Sequence, residues 1–414
     1  MRKLGIYVQV PFCQTKCTYC NFHTGVVATS RFAPYVEAVC REIRGHRELL
    51  RAAGVDWRAG FAGKAHSQEW PCHEAVVDTV YIGGGTPSLL DSAHLERILD
   101  TIRVSFGQRP ASEGGRYRST RADLMEVTLE ADPETVEAEK AAAWVRAGIN
   151  RVSFGLQSFA DKELIAAGRM HRRADIYRVV PILREAGIQN ISFDLIAGLP
   201  HQTKESWRQS LDELAGLAPE HVSVYLLEID EDSRLGKELL QGGGRYSAGA
   251  VPSEDEMAEF YEMAQKALEA AGYHHYEISN WAKPGFESRH NLKYWRREPY
   301  LGFGAGAHSF SGTQRWANAH DAAAYVAAVQ SGRLPVEQQE KLTADSALEE
   351  ELFLGLRQLD GIDVARIERE YGVTLMGRFD PLTSAGLVER DGSVVRLVPR
   401  RLSVSNEVFV ELMR

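Results

Sequence analysis

The sequence predicts an α/β fold in which six strand–helix units form a parallel array, followed by a small α+β domain with the pattern of a winged helix. Two observations predict it. Short β-rich runs alternate with amphipathic helical patterns over the first two thirds of the chain, and beyond about residue 342 short helical patterns precede two short strands. We expect the array and an extension of its sheet to cover residues 1–335 and the small domain to cover 336–414.

The β-rich runs of the array cover residues 4–10, 79–82, 126–129, 151–154, 191–196 and 222–227. The helical patterns between and after them cover residues 34–50, 94–104, 136–147, 174–186, 204–217 and 255–271. Parallel β/α arrays bind ligands at the carboxyl ends of their strands, so we expect functional residues in the loops that follow these runs. Periodicity alone does not distinguish a partial barrel from a doubly wound sheet.

Several other segments lack the strand–helix rhythm. Residues 55–74 and 108–122 are rich in Gly, Ser, Arg and His without an apolar period, which predicts solvated insertions. Gly272 is a stop signal for the last helix of the array, and residues 273–316 are aromatic and Gly-rich, which predicts further strands. A helical pattern follows over residues 321–330.

The C-terminal pattern consists of helical runs over residues 347–359, 364–371 and 375–385 and strands over 387–390 and 394–397. A recognition helix that binds DNA would be basic, whereas the third run carries Arg378 against Asp380 and is interrupted by Pro381. The pattern therefore favours a packing or docking domain.

The composition excludes several function classes. A net charge of −9 and a pI near 5.9 argue against nucleic acid as the main partner. No apolar run approaches the roughly twenty residues that cross a bilayer, and the start of the chain is too brief for a signal peptide. We therefore expect a cytoplasmic protein without a membrane span.

The strongest chemical signal is a group of three cysteines, Cys13, Cys17 and Cys20, within eight residues of the loop after the first strand. Three thiolates from one loop can hold a four-iron cluster and leave one iron open to a ligand. A zinc site with His23 as the fourth ligand is the competing interpretation. The remaining cysteines show no partner spacing, so we assign no role to Cys40, a small buried residue on a helix, or to Cys72.

Polar and Gly-rich segments follow the other strands of the array. The run from Tyr81 to Ser88 holds three consecutive glycines before Thr86, and glycine lets the backbone approach a ligand closely. Glu130 and Asp132 follow the third strand. With Pro133 after it, we expect Asp132 to cap the next helix and Glu130 to face the ligand. Gln157, Arg169 and Asp194 lie in or after the later strands.

With its C-x3-C-x2-C spacing, the chain resembles the radical SAM superfamily. That resemblance implies a partial (β/α)6 barrel, a [4Fe-4S] cluster on the three cysteines and S-adenosylmethionine (SAM) on the open iron. It also implies SAM contacts for a set of strand-end and loop residues: Tyr7, Tyr19, Gly84, Gly85, Thr86, Glu130, Gln157, Arg169 and Asp194. The residues just before the cysteines depart from the usual pattern of these relatives at one position, where Gln9 replaces a histidine.

Over nearly its whole length the chain resembles the branch that contains coproporphyrinogen III oxidase (HemN) and the HemW proteins. Phe22 stands where the decarboxylating enzymes carry a fourth cysteine, and only twelve residues precede Cys13, both of which favour the HemW side. A HemW heme-binding motif, HNxxYW, is matched by His290, Asn291, Tyr294 and Trp295. Alternative axial ligands for heme are His308, His274 and His275.

The resemblance implies a heme chaperone that binds a [4Fe-4S] cluster, SAM and heme and passes heme to respiratory membrane proteins. The alternative is an oxygen-independent coproporphyrinogen III decarboxylase on the same fold. A third hypothesis is an interaction protein that carries zinc. An exposed cluster loop is also compatible with a homodimer.

Overall fold

The computed structural model describes residues 2–52, 75–107 and 124–412. The two predicted insertions, residues 55–74 and 108–122, lie outside the described residues, as does Cys72.

Six parallel strands form the centre of the fold, in chain order: β1 (Arg2–Val10), β2 (Ala75–Gly84), β3 (Glu126–Ala131), β4 (Arg151–Gln157), β5 (Asn190–Ala197) and β6 (His221–Leu226). The helices around them are α1 (Phe32–Ala52), α2 (Ser92–Ser105), α3 (Ala138–Arg146), α4 (Asp161–Ala166), α5 (Arg173–Ala186) and α6 (Lys204–Leu217). In the described chain β1 and β6 do not pair with each other. The predicted α/β array with a partial, unclosed barrel is therefore confirmed.

The sheet continues on both sides of the array, as the sequence predicts. These elements are α7 (Arg234–Leu240), α8 (Glu254–Ala270), β7 (His274–Glu277), β8 (Asn280–Ala282), α9 (Arg289–Trp295), β9 (Tyr300–Phe303), β10 (His308–Phe310), β11 (Gln314–Asn318), α10 (Ala322–Gln330) and β12 (Val336–Lys341). Strands β1 to β12 form one sheet of order β12-β11-β10-β9-β1-β2-β3-β4-β5-β6-β8-β7. Strand β9 is parallel to β1, while β8 is antiparallel to β6.

Local signals in the sequence account for several helix boundaries. Helix α6 begins after Thr203, whose hydroxyl accepts a hydrogen bond from the backbone N–H of Ser206, 3.2 Å away. Its bounds are those that the sequence predicts. Helix α8 is followed by Gly272 at φ 82°, a left-handed conformation that glycine adopts without strain. Helices α4 and α7 are too short to give a clear helical period, and the sequence does not predict them.

The C-terminal elements are α11 (Ala344–Gly355), β13 (Ile362–Asp363), α12 (Val364–Tyr371), α13 (Asp380–Ser384), β14 (Val388–Asp391), β15 (Val394–Leu397) and α14 (Ser405–Leu412). Strand β15 lies between β13 and β14, as in a winged helix. The helix predicted over residues 375–385 is wrong in detail. A 3-10 turn (Met376–Phe379) precedes α13, because Pro381 has no backbone N–H and is tolerated only at a helix start.

The proposed division of the chain at residue 335 stays a prediction. Strand β12 begins at Val336 and pairs with β11, so the first residues of the predicted small domain belong to the large sheet. None of the helices in the described ranges combines the length and the apolar character that a membrane crossing requires.

A buried carboxylate, Glu42 of α1, ties the sheet extension to the array. Its side chain accepts hydrogen bonds from the Gly304 backbone N–H (3.0 Å), the Asn318 amide (2.7 Å) and the Tyr325 hydroxyl (2.6 Å). The residue is 4% exposed, and burial raises its pKa to about 7 although the three donors oppose that shift. One residue therefore joins α1 to the loop after β9, to β11 and to α10.

This raised pKa predicts a pH dependence of stability. Because the folded state favours the protonated carboxyl, the stabilisation is fully present below the usual pKa of 4.5 and is lost as the pH rises to about 7. We expect the free energy of unfolding of the parent, relative to Glu42→Gln, to fall by roughly 3 kcal/mol across that range. Urea denaturation of both chains from pH 5 to pH 8 measures it. A difference that does not change with pH would contradict the shift.

Candidate functional site

The cysteine loop follows β1 and is held from three sides. The backbone N–H of Cys13 donates to the Gly25 carbonyl (3.1 Å), while that of Thr18 donates to the Ala167 carbonyl after α4 (3.0 Å). The N–H of Leu235 in α7 donates to the Thr18 carbonyl (2.8 Å). The two short helices that the sequence does not predict therefore position the loop.

The three thiols, Cys13, Cys17 and Cys20, are partly exposed and none takes part in a disulfide. Burial raises the pKa values of Cys13 and Cys20. A bound cation would have to compensate for that burial to hold both as thiolates near neutral pH. Cys40 is fully buried on α1, as predicted.

The glycine segment after β2 packs directly on the cysteine loop. The N–H of Thr86 donates to the Phe12 carbonyl (2.6 Å), and the N–H of Gly85 donates to the Val10 carbonyl (2.8 Å). A Cβ atom at Gly85 would lie 2.4 Å from the Phe12 carbonyl oxygen, which is closer than real side chains approach. Gly84 has φ 113°, so it also needs the freedom of glycine. The glycines therefore permit a close approach between backbones.

Arg169 connects the cysteine loop to the ends of β3 and β4. Its guanidinium contacts the Cys17 sulfur (3.5 Å) and the Gly155 carbonyl (2.7 Å) and forms an ion pair with Asp132. The second oxygen of Asp132 accepts a hydrogen bond from the Thr86 hydroxyl (3.0 Å). The predicted capping role of Asp132 is wrong. The residue precedes the 3-10 turn Pro133–Thr135 but makes no side-chain cap, because its carboxylate is held by Arg169 and Thr86.

Two further carboxylates, Glu130 and Asp194, lie on β3 and β5. The oxygens of Glu130 accept hydrogen bonds from the Tyr81 hydroxyl and the Gly84 N–H, both at 2.8 Å, and burial raises its pKa to about 7. Asp194 lies 3.4 Å from the Ser153 hydroxyl, and burial raises the pKa of this carboxyl as well. A positively charged group bound beside either carboxyl would lower these pKa values.

Gln157 ends β4 in a strained conformation. Its φ is 67°, and the pairing of β4 with β5 shifts register between Gly155 and Gln157. A Cβ atom at Gly155 would lie 2.7 Å from the Gln157 amide nitrogen and 3.3 Å from Arg169. The bulge therefore directs the Gln157 side chain over Gly155, beside Arg169.

These groups line one cavity of about 520 Å³, a volume within the range of small-molecule sites. Besides the three cysteines, the predicted residues that line it are Tyr19, Gly84, Gly85, Thr86, Glu130, Gln157, Arg169 and Asp194. The acidic side chains in its lining outnumber the basic ones: Glu130, Asp132, Glu134, Asp194, Glu228 and Asp230 against Lys16, Arg169 and Arg357. The cavity is therefore suited to a ligand that carries positive charge.

Sequence reasoning misses the C-terminal side of this cavity. Arg357 and the residues Leu402, Ser403, Ser405 and Asn406 also line it. They belong to no motif and lie far from the cysteines in the chain, so only the fold brings them there. Asp132 could have been identified as a cavity residue from the sequence, because it follows a predicted strand of the array.

Tyr7 does not line the cavity. Its hydroxyl donates to the Gln9 amide oxygen, and its ring stacks on Tyr81 with 6.1 Å between the ring centroids. Gln9 in turn contacts Gly84, where a Cβ atom would lie 2.5 Å from the amide nitrogen. Tyr7 and Gln9 therefore pack beside the glycine segment and not in the cavity.

The structure does not bring the predicted heme residues to the cavity. His290 is 1% exposed, with one ring nitrogen 2.9 Å from the Thr79 hydroxyl and the other 2.9 Å from the Tyr294 hydroxyl. Thr79 precedes Gly84 by five residues of β2, so His290 lies roughly 16 Å below the strand ends. Burial, followed by Lys293, lowers its pKa to about 3. The ring is neutral and both of its nitrogens are engaged.

The other residues of that motif also make contacts within the fold. Helix α9 places the N–H groups of Arg289 and His290 on the Glu126 carboxylate, 3.3 and 3.2 Å away. Asn291 donates its N–H to Ser288, and the Trp295 ring packs under Arg357 at 4.5 Å. Helix α9 therefore closes the end of the barrel opposite the cysteine loop.

The residues around the cysteine loop fit an iron–sulfur cluster better than zinc. A zinc ion needs four ligands converging on one point, and in the described residues no group of three or more His, Cys, Asp or Glu side chains is so arranged. His23, the predicted fourth zinc ligand, instead packs against His320. Cluster thiolates bind different iron atoms and need not converge.

Comparison with known proteins shows which family the chain belongs to. Residues 69–214 match the model of the radical SAM superfamily, and residues 342–400 match that of the HemN C-terminal domain. Coproporphyrinogen III oxidase (HemN) from Escherichia coli shares the fold, with a TM-score of 0.79 and 22% identity over 99% of this chain and 90% of that one.

The heme chaperone HemW of Bacillus subtilis is 34% identical over 97% of this chain and 97% of its own length. The HemW of Mycobacterium tuberculosis is 32% identical over 99% of this chain and 94% of its own. Identity at this level over nearly the full length of both chains, together with the shared fold, shows common family membership. The chain therefore belongs to the HemW family within the radical SAM superfamily.

Proposed function

We propose that this protein is a cytoplasmic heme chaperone that binds a [4Fe-4S] cluster, SAM and heme, and delivers heme to respiratory membrane proteins. One observation carries the proposal. Three free thiols stand at the mouth of an acidic cavity at the strand ends, in a chain 34% identical over its length to a HemW heme chaperone.

In this proposal Cys13, Cys17 and Cys20 hold the cluster. The cluster would supply one open iron site for the amino and carboxylate groups of SAM. Arg169 keeps Cys17 in place by donating to its sulfur, and the contact between Gly85 and Phe12 fixes the loop against β2. Glu130 and Asp194 would lie beside the positively charged part of SAM, because both line the same cavity and a cation there would favour their charged forms, which burial alone disfavours.

The charge of the cavity argues against the decarboxylase alternative. Coproporphyrinogen III carries four carboxylates, and a site for it needs several free cations. Among the described lining residues Arg169 is paired with Asp132, and Arg357 lies 3.7 Å from Glu277. Of the three cations in this lining, Lys16 is the one that forms no ion pair with a described carboxylate. We therefore rank transport of heme above turnover of a porphyrinogen.

The proposal predicts saturable heme binding without porphyrinogen turnover. We expect cluster-reconstituted protein, titrated anaerobically with heme, to give a saturating change in the Soret band. The same preparation, given coproporphyrinogen III, SAM and a reductant, should form no protoporphyrinogen. An authentic coproporphyrinogen III oxidase is the positive control. Catalytic formation of protoporphyrinogen would show that the protein is a decarboxylase instead. Heme uptake that does not saturate would contradict the chaperone hypothesis.

Delivery and assembly need separate tests. Transfer of heme from the loaded protein to respiratory membranes can be measured as the loss of the Soret band of the loaded protein. Such transfer would support the proposed acceptors. A homodimer remains a prediction, which sedimentation of the reconstituted protein tests.

A further inference from the structure

Helix α9, which carries the HNxxYW motif, is connected at three points to residues that line the cavity. At its end, the guanidinium of the cavity residue Arg357 lies over the Trp295 ring at 4.5 Å. In its middle, the His290 ring lies 5.3 Å from the ring of Tyr81, whose hydroxyl donates to the cavity residue Glu130 (2.8 Å). The third connection reaches the start of α9 through a series of hydrogen bonds.

This third connection runs from Ser288, the residue directly before α9, through buried side chains to Asp194. The Ser288 N–H lies 3.3 Å from the Tyr276 hydroxyl. That hydroxyl lies 2.8 Å from Nε2 of His221, and Nδ1 of the same ring lies 2.8 Å from the Ser192 hydroxyl. The Ser192 hydroxyl in turn forms a hydrogen bond with Asp194, which lines the cavity. We call the side chains of Tyr276, His221, Ser192 and Asp194 the hydrogen-bond relay.

The direction of each hydrogen bond in the relay follows from its first donor. A backbone N–H can only donate, so Tyr276 accepts from Ser288 and donates its own O–H to His221. His221 is fully buried, and burial lowers its pKa well below the usual value, so the ring is neutral. The ring accepts at Nε2 and donates from Nδ1 to Ser192, whose O–H is left to donate to Asp194. The relay therefore ends on Asp194 as an acceptor.

A positive charge in the cavity should strengthen the hydrogen-bond relay. Burial raises the pKa of Asp194, so burial alone disfavours the charged form of this carboxyl. A cation bound beside Asp194 favours the carboxylate, and a charged acceptor forms a stronger hydrogen bond than a neutral one. Hydrogen bonds in series polarise one another, so the gain extends along the relay to the N–H of Ser288 at the start of α9.

A ligand that binds to His290 requires the opposite change in α9. The two ring nitrogens of His290 are engaged by the hydroxyls of Thr79 and Tyr294, both at 2.9 Å. A ring that ligates iron must give up one of these hydrogen bonds. The backbone N–H of His290 is also held, by the Glu126 carboxylate at 3.2 Å. The described position of α9 therefore offers no free imidazole nitrogen from His290.

We propose that the hydrogen-bond relay couples the cavity to α9, so that SAM in the cavity and heme at the HNxxYW motif weaken each other's binding. His221 and Tyr276 are positioning residues, since neither lines the cavity nor belongs to the motif. The inference rests on the proposed function and on the assignment of heme to that motif. It adds a way to release heme: SAM favours the position of α9 in which both nitrogens of His290 are engaged.

The test is an anaerobic heme titration of cluster-reconstituted protein, followed in the Soret band, with and without saturating SAM. We expect SAM to raise the apparent Kd of the parent for heme at least about fivefold, at the lower end of usual coupling between two sites. In Tyr276→Phe, which removes the hydroxyl between Ser288 and His221, the two Kd values should agree within about twofold. Ser192→Ala, which separates His221 from Asp194, should have the same effect.

Tyr273→Phe is the matched control. Tyr273 and Tyr276 are both 6% exposed, and the Tyr273 hydroxyl donates to the Pro219 carbonyl (2.7 Å) and not to the relay. This variant should keep the full effect of SAM on the Kd for heme. The ratio of the Kd values with and without SAM is the decisive quantity, because a variant that merely weakens the fold shifts both values together.

The possible outcomes separate this inference from the proposed function. If the parent does not bind heme, the proposed function fails and the inference fails with it. The inference alone is overturned if SAM leaves the Kd of the parent unchanged, or if Tyr276→Phe and Ser192→Ala both retain the effect of SAM. A His290→Ala variant that binds heme as tightly as the parent would overturn it too, because heme would then lie elsewhere.

Each variant must also hold the cluster and SAM for the comparison. Iron content and equilibrium dialysis with SAM establish this before heme is added. Should Tyr276→Phe lose its cluster, Ser192→Ala decides the question, since that change removes one hydroxyl and leaves the contact between Tyr276 and Ser288 in place.

Discussion

Cys17→Ala is expected to abolish assembly of the cluster, with the iron and sulfide of the reconstituted chain falling to background. The reason is that three thiolates are the fewest that hold a four-iron cluster with one open iron, and the loop offers no spare ligand in a suitable place. The same change removes the contact between Arg169 and the Cys17 sulfur. SAM binding, measured by equilibrium dialysis under anaerobic conditions, should fall with the iron.

Cys40→Ala is the control for this experiment. Cys40 is a buried cysteine of α1, so its replacement costs packing of about 1 kcal/mol and leaves the iron content unchanged. Full iron and normal SAM binding in Cys17→Ala would refute the assignment of the cysteine loop. Zinc in place of iron and sulfide in the anaerobically purified parent would revive the zinc hypothesis.

Much of the fold could be predicted because the array uses local signals. The strands β4 and β5 carry Val, Ile, Phe and Leu in alternation with other residues, a pattern of period two that indicates a strand, and α6 begins at a capping threonine. Helices α4 and α7 could not be predicted in the same way. Each is about two turns long or shorter, and they are held by contacts with the cysteine loop, which a local pattern does not reveal.

The residues of the site also differ in whether local sequence patterns could predict their positions. Gly84, Glu130 and Asp194 could be predicted to converge because the carboxyl ends of parallel strands meet at one edge. The burial of His290 could not be predicted, because its two hydrogen-bond partners include Thr79, which lies 211 residues away in the chain. The contacts of Leu402 and Asn406 with the cavity and the meeting of His23 with His320 are also long-range and leave no local pattern.

Gly85→Ala is expected to displace the cysteine loop while the rest of the array stays folded. The new methyl group would meet the backbone of Phe12, with the carbonyl oxygen at 2.4 Å and the nitrogen at 2.9 Å, and backbone atoms cannot rotate away as a flexible side chain can. Overpacking of this kind costs about 1–3 kcal/mol. We expect the free energy of unfolding of the apo chain to fall by that amount.

The effect on the cluster should be larger than the effect on stability, because the displaced segment lies directly before Cys13 and a cluster tolerates little change in thiolate position. Iron per chain after reconstitution and SAM affinity should both drop several-fold in Gly85→Ala. Gly216→Ala is the matched control, since a Cβ atom there meets nothing within 4 Å and the residue lies in helix α6. That change should stabilise the chain by up to about 1 kcal/mol and leave the iron unchanged. If Gly85→Ala instead kept full iron with the stability of the parent, the close approach of the glycine segment would be incidental, and the cysteine loop would owe its position to α4 and α7 alone.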